Sequence, residues 1–299
     1  MTTSTLGALP LVLALGSALC YGAADFAGGL AARRASGLAA AAGAQATGLI
    51  LVAVLALLGP PRYPSEADLL WGAVSGLCGG TGLMLFFGAL AGGRMSTVAP
   101  IAAVISAAIP VAAGLALGER PSPTALAGIL VAGLAIVLVS REDAHLHGVD
   151  ALNAEPEAPR TPARVLLMSA LAGVLFGGFF TALAQTQESA GFWPLLVNRA
   201  LSSTLLWGIL LFGPATRRIG MPTREYRQGA VTSGVLDVGA SLLFLWATAR
   251  GPLSLVAPLG ALYPVSTVVL AVLVLREKIG RAQRVGLALA GAALLLIGA

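Results

Sequence analysis

Ten long apolar stretches make up most of this 299-residue sequence, and nearly all charged residues lie between them. Charged residues account for 10% of the chain, whereas a soluble domain carries about 25%. A membrane-spanning helix needs about 20 mainly apolar residues, so ten helices would use about 200 residues and leave about 100 for connections. The composition excludes a disordered chain and a water-soluble globule, and it predicts an all-α integral membrane protein of the inner or plasma membrane.

The predicted spans are bounded by charges, Pro or Gly. They cover residues 6–30, 37–59, 68–91, 96–117, 123–140, 164–187, 191–213, 228–249, 253–275 and 282–298. Helices are expected because the stretches are continuous and rich in Ala, Leu and Val, and because a lipid-exposed backbone must satisfy its own hydrogen bonds. No basic segment precedes the first stretch, so it is predicted to be a retained span and not a cleaved signal.

One polar segment, residues 141–163, divides the chain into a first half (1–140) and a second half (164–299). It is rich in acids and prolines and is predicted to be a flexible linker. His145 and His147 beside carboxylates could hint at a metal, but an exposed linker that carries two histidines is the preferred interpretation. Cys20 and Cys78 lie in apolar spans and form no zinc or disulfide pattern. No metal or cofactor is predicted.

The two halves look like a duplication. Residues 93–133 align without gaps on residues 251–291 at an offset of 158, with 14 of 41 positions identical. Upstream, an offset of 154 places Gln45 on Arg199. Five spans per half is an odd number, so the second half must enter the membrane from the opposite side. Such inverted repeats are typical of secondary transporters, whose sites lie near the midplane between the repeats.

Positive charge predicts the orientation. Loops after the odd-numbered spans hold 14 Lys and Arg residues and the other side holds 3, which places both termini outside the cytoplasm. The net charge of +5 comes mainly from short arginine clusters between spans. That distribution argues against a nucleic-acid partner.

Several motifs resemble the ten-helix EamA branch of the drug/metabolite transporter superfamily. They are the segment 21–26 (Tyr-Gly-Ala-Ala-Asp-Phe), the paired segments 96–100 and 254–258 (Ser-x-Val-Ala-Pro), the turns 118–120 and 276–278, and the paired glycines Gly128 with Gly133 and Gly286 with Gly291. The resemblance implies a secondary carrier, usually an exporter of small metabolites, with a central cavity between the halves. Tyr21 replaces the family's usual Trp, and Arg276 replaces a usual Gly.

Three charged residues inside spans are the main functional candidates, because a charge at a helix centre costs about 2.5–3.5 kcal/mol on insertion scales. Asp237 lies near the middle of span 8, with Ser233 and Ser241 four residues to either side on one helix face. It is predicted to face a cavity and exchange a proton. The alternative is a structural aspartate that is hydrogen-bonded between helices.

Asp25 shares a face of span 1 with Tyr21 and is the second candidate proton carrier. Its alternatives are pairing with Arg33 or Arg34, or capping the helix end. Arg199 does not deprotonate and therefore needs an anion or water. Snorkelling to the interface, pairing with Asp237 or Asp25, and binding a substrate carboxylate all remain open for it.

Prolines and aromatic residues complete the candidate set. Pro100 and Pro258 are predicted to begin spans 4 and 9, whereas Pro110 and Pro264 lie inside those spans and are expected to bend them for gating. The alternative for the inner pair is a lipid-facing kink. The aromatic candidates for stacking on a substrate, or simply for packing, are Tyr21, Trp246 and Tyr263.

The sequence contains no catalytic or nucleotide-binding motif, so no enzyme is predicted. A lipid-modifying enzyme would need clustered His or acids at one interface, and a structural subunit would not need charges within its spans. The leading hypothesis is a proton-coupled secondary transporter that exports an amino acid, drug-like or related metabolite by alternating access. Uptake and uncoupled exchange are the alternatives. The expected partners are a small substrate, lipid and protons, and the chain is expected to be a monomer or weak homodimer.

Overall fold

The computed structural model describes residues 7–60, 62–92, 95–139, 162–213, 223–275 and 280–298. The first half forms α1 (Ala8–Arg34), α2 (Gly37–Leu58), α3 (Glu66–Gly92), α4 (Met95–Ala116) and α5 (Pro123–Val139). The second half forms α6 (Ala163–Ala184), α7 (Trp193–Phe212), α8 (Arg224–Thr248), α9 (Leu253–Gly260), α10 (Tyr263–Leu275) and α11 (Arg281–Gly298). A 3-10 turn, Glu188–Ala190, precedes α7. Most of the predicted linker, with His145 and His147, and the turn 276–278 lie outside the described residues.

The predicted all-α membrane fold is confirmed. Seven helices in the described ranges are long and apolar enough to cross a membrane, namely α1, α2, α3, α6, α7, α8 and α11. Shorter apolar helical stretches, Ile101–Ala116, Pro123–Val139 and Leu253–Thr267, supply the other three predicted spans. Cys20 and Cys78 are free and partly buried within this bundle.

Span 9 is broken, which corrects the prediction of one helix bent at Pro264. Helix α9 ends at Gly260 and α10 begins at Tyr263, so Pro264 is the second residue of a new helix. The first N–H groups of a helix have no partner within it, so a proline there removes no helical hydrogen bond. A proline there cannot donate to the carbonyl of Gly260, four residues earlier. The backbone instead makes three-residue bonds, from Leu262 N to Leu259 O and from Val265 N to Leu262 O.

The prediction that Pro100 and Pro258 begin their spans is also wrong. Each is the sixth residue of its helix, in α4 and α9, because both helices begin five residues earlier, at Met95 and Leu253. These two start points are equivalent at the offset of 158. Pro110 lies inside α4 as predicted and is buried.

The two halves pack closely against each other. The most extensive contacts join α1 to α8 and α3 to α6 across the halves, and α5–α11, α2–α7 and α4–α9 each pair a span with its counterpart.

Two glycines allow equivalent close approaches between helices of the two halves. A Cβ on Gly76 would lie 2.5 Å from the carbonyl oxygen of Asn198, and a Cβ on Gly234 would lie 2.4 Å from that of Ala44. Gly234 follows Gly76 by 158 residues and Asn198 follows Ala44 by 154, so the contact is duplicated.

Candidate substrate site between the two halves

A cavity of about 70 Å³ lies between the halves and is lined by residues of seven helices. Its polar lining consists of Tyr21, Asp25, Gln45, Asn198, Arg199, Ser202, Asp237 and Tyr263, and its aromatic wall consists of Phe176, Phe179 and Phe180 of α6. Five of the eight predicted site residues therefore meet in one place. They are Tyr21, Asp25, Arg199, Asp237 and Tyr263.

Arg199 is held by a dense set of partners. Its side chain is 3% exposed and forms an ion pair with the carboxylate of Asp237 on α8. Its Nη1 donates to Gln45 Oε1 at 2.9 Å, and its Nη2 donates to Ser241 Oγ at 2.8 Å. Of the three arrangements that the sequence left open for Arg199, the structure shows ion pairing with Asp237.

Ser241 lies behind this ion pair and links it to α1. Its hydroxyl donates to the backbone oxygen of Asp237 at 2.9 Å, and it lies 3.0 Å from the hydroxyl of Tyr21. The other predicted serine, Ser233, is buried where α8 packs on α1, since a Cβ on Gly28 would lie 3.0 Å from its Oγ. The structure thus places Ser241 in the support of the cavity and Ser233 in helix packing.

Asp25 lines the same cavity without a partner. Among the described residues, no hydrogen bond or ion pair reaches its carboxylate, and Asp237 is a charged neighbour of the same sign. Tyr263, at the start of α10, lies close to Asp25 and Ser106. The Tyr263 hydroxyl is buried and makes no hydrogen bond with any described residue. The cavity therefore contains one neutralised ion pair and one isolated acid.

The sequence analysis did not select Gln45, Asn198, Ser202 or the three phenylalanines. Ser202 donates to Gln45 Oε1 at 2.9 Å, and Asn198 donates to Ser75 Oγ at 2.8 Å, so these polar groups extend the network around Arg199. Gln45 carried a usable signal, because it is an amide well inside an apolar span and aligns with Arg199. The phenylalanines carried none, since an aromatic residue in a span can pack against a neighbouring helix as well as line a cavity.

Trp246 is not brought to the cavity. It is 43% exposed and lines a separate surface pocket with Arg62 and Glu188 at the end of α8. Pro110, Pro258 and the ring of Pro264 are likewise absent from the described cavity wall, and the side chain of Pro100 lies outside the described residues.

Polar contacts fasten the two halves at the end of the molecule that holds the connections after α2, α4, α6 and α8. The Glu119 carboxylate accepts from the backbone N–H groups of Leu253 and Ser254, each at 2.8 Å, and so caps α9. Asp68 Oδ1 accepts from Gln187 N at 2.8 Å. These hydrogen bonds join the two halves at this end of the bundle.

A helical bundle with ten predicted spans and a charged cavity between its two halves is typical of membrane transporters of small solutes. The sequence matches the profile of the EamA-like transporter family over residues 8–141 and 163–299, and the chain belongs to that family. The resemblance drawn from the motifs is thereby confirmed.

Chains of solved structures support the same fold, and 27 of them match. One chain of known crystal structure superposes with a TM-score of 0.70 at 19% sequence identity, covering 97% of this chain and 96% of that chain. No curated protein matches the sequence.

Proposed function

We propose that this protein is a secondary active transporter that exports a small metabolite across the inner or plasma membrane by alternating access, coupled to protons. The observation that carries the proposal is the cavity between the halves, where the carboxylate of Asp25 has no counter-ion beside the neutralised pair of Arg199 and Asp237. A charge in such a position is costly and typical of ion and substrate pathways.

Asp25 is the better coupling acid, although the sequence favoured Asp237. A proton that binds Asp237 must break the ion pair and leave Arg199 buried without an anion, and breaking a buried pair costs about 3–5 kcal/mol. Asp25 has no such pair among the described residues. We therefore assign proton exchange to Asp25 and assign to Asp237 the role of holding Arg199.

The duplicated contacts support movement of one half against the other. Gly76 meets Asn198 as Gly234 meets Ala44, which is the pattern expected when a rotation relates the halves. With five spans per half, that rotation axis lies in the membrane plane, and the two ends of the bundle become alternative exits. The Glu119 and Asp68 contacts join the halves at one end, so we propose that they break when the cavity opens to that side.

Proteoliposomes that contain a pH-sensitive dye test this function. Candidate metabolites are screened for substrate-dependent proton movement under an imposed pH gradient. Asp25→Asn is compared with Glu225→Gln, which removes an exposed acid outside the cavity. We expect the Asp25 variant to lose gradient-driven transport and the Glu225 variant to keep it. If the unchanged protein transports substrate at a rate that does not depend on the pH gradient, it is an uncoupled exchanger. If the gradient drives the substrate in the direction of uptake, it is an importer.

A further inference from the structure

We propose that the cavity selects a compact organic cation, with a protonated amine of the ligand against Asp25 and its apolar part against the phenylalanines of α6. Only one part of this inference rests on the proposed transport function, namely that the bound cation is also the transported substrate. Binding itself follows from the charges and hydrogen bonds of the cavity.

The charge of the lining favours a cation. Arg199 and Asp237 neutralise one another, and Asp25 remains as one uncompensated negative charge among the described lining residues. A carboxylate largely withdrawn from water is stable only when it is paired with a cation or neutralised by a proton. A ligand of charge +1 supplies the missing partner, whereas an anion would add a second uncompensated charge beside Asp25.

The hydrogen bonds of Arg199 argue against a carboxylate ligand. Bidentate binding of a carboxylate needs two free N–H groups on one edge of the guanidinium. Nη1 and Nη2 already contact Asp237, Gln45 and Ser241. The remaining Nε faces α2, because a Cβ on Gly48 would lie 3.6 Å from it. Arg199 therefore does not offer the edge that an amino acid's carboxylate would require.

The aromatic wall suits the rest of such a ligand. Phe179 and Phe180 lie with ring centroids 5.0 Å apart, and Tyr21 meets Phe180 edge-on at 5.6 Å. Aromatic faces attract cations by about 0.5–2 kcal/mol and pack against apolar groups. The volume of about 70 Å³ is well below the roughly 300–1,000 Å³ of sites for drug-sized ligands. The fitting ligand is therefore a small amine with one ring or a short chain.

Cation and proton should compete for Asp25. The titratable or charged groups that face this part of the cavity are Asp237, Arg199, Tyr21 and Tyr263. Of these, Asp237 and Arg199 form an ion pair with each other, and the two tyrosines carry no charge near neutral pH. Protonation of Asp25 removes the charge that holds the amine, so affinity for the cation should fall as the pH is lowered.

Three probes that share a phenyl ring and differ in charge test the inference by calorimetry on the purified full chain in nanodiscs. They are phenethylamine (+1), phenethyl alcohol (neutral) and phenylacetate (−1). We expect the amine to bind at least about tenfold more tightly than the alcohol, a difference of about 1.4 kcal/mol, and phenylacetate to bind weakest. Asp25→Asn should reduce amine binding to the level of the alcohol, and Glu225→Gln should leave it unchanged.

A second variant keeps the test decisive if Asp25→Asn fails to fold. Asp25→Glu retains the charge and should retain the preference for the amine. Equal binding of amine and alcohol, tighter binding of phenylacetate, or unchanged amine binding in Asp25→Asn would each overturn the inference. If the amine binds but neither the amine nor any screened metabolite is transported in proteoliposomes, the transport proposal fails alone. If another metabolite is transported while the amine does not bind, only the cation inference fails.

Discussion

Arg199 donates a hydrogen bond of 2.9 Å to Gln45, the residue on which it falls when the two halves are aligned at an offset of 154. Equivalent residues can touch only near the axis that relates their halves. We therefore expect this axis to pass beside the cavity and to make the site a shared product of both repeats.

The first prediction concerns that axis. Residues 6–140 should superpose on residues 164–298 after rotation about an axis in the membrane plane, with Met95 on Leu253. An experimental structure in lipid provides the measurement. Parallel halves, or an axis along the membrane normal, would contradict the prediction.

The second prediction concerns the duplicated glycine contact. Gly76→Ala and Gly234→Ala each place a Cβ within 2.5 Å of a carbonyl oxygen, so both must force neighbouring helices apart. Overpacking of this kind costs about 1–3 kcal/mol. We expect both variants to melt at a lower temperature in detergent, as followed by intrinsic fluorescence. Gly239→Ala is the matched control in α8, because its Cβ would meet nothing within 4 Å. Equal melting of Gly234→Ala and the control would refute the close contact.

The third prediction concerns the ion pair. Asp237→Asn leaves the guanidinium of Arg199 buried without its anion, a loss of up to about 3–5 kcal/mol. Joining Asp237→Asn with Arg199→Gln removes the uncompensated charge, so the double variant should be more stable than Asp237→Asn alone. Thermal unfolding of the four proteins of this cycle gives the coupling energy. Additive losses would show that the pair contributes nothing.

The fourth prediction concerns the cap of α9. Glu119→Gln replaces one of two accepting oxygens by a donor and removes the negative charge from the helix N-terminus, which should cost about 1–2 kcal/mol. Hydrogen exchange should accelerate at the backbone amides of Leu253–Gly260 and stay unchanged in α6. With Glu225→Gln as control, exchange that does not accelerate in α9 would mean that the cap is dispensable.

The fifth prediction concerns orientation. The charge count of 14 against 3 places the C-terminus outside the cytoplasm. A C-terminal green fluorescent protein fusion should be dark and an alkaline phosphatase fusion active. The reverse pattern would invert the orientation and leave the helix assignments intact.

Much of the fold could be predicted because charged side chains are unfavourable in lipid, so membrane spans can be recognised in the sequence as apolar stretches. For the same reason Asp25, Arg199 and Asp237 stood out, and all three line the cavity. The break in span 9 could not be predicted, since it falls within the apolar sequence Gly260-Ala261-Leu262 and a proline can start a helix as well as bend one. Gln45 was missed because an uncharged amide is a weaker signal than a charge, and the exposure of Trp246 depends on where α8 ends.

The cap on α9 also bears on how the chain is made. A helix of eight residues is too short to persist alone in water, and the carboxylate that orders its first turn belongs to the other half. During synthesis the first half leaves the ribosome before α9 exists. Glu119 is thus synthesised before Leu253 and Ser254, so we expect the first turn of α9 to become ordered against a first half that has already been made. If the first half is expressed separately and after the second half, we expect the two to assemble poorly. The position of Glu119 in the first half would then make correct folding of α9 depend on the order in which the halves are made.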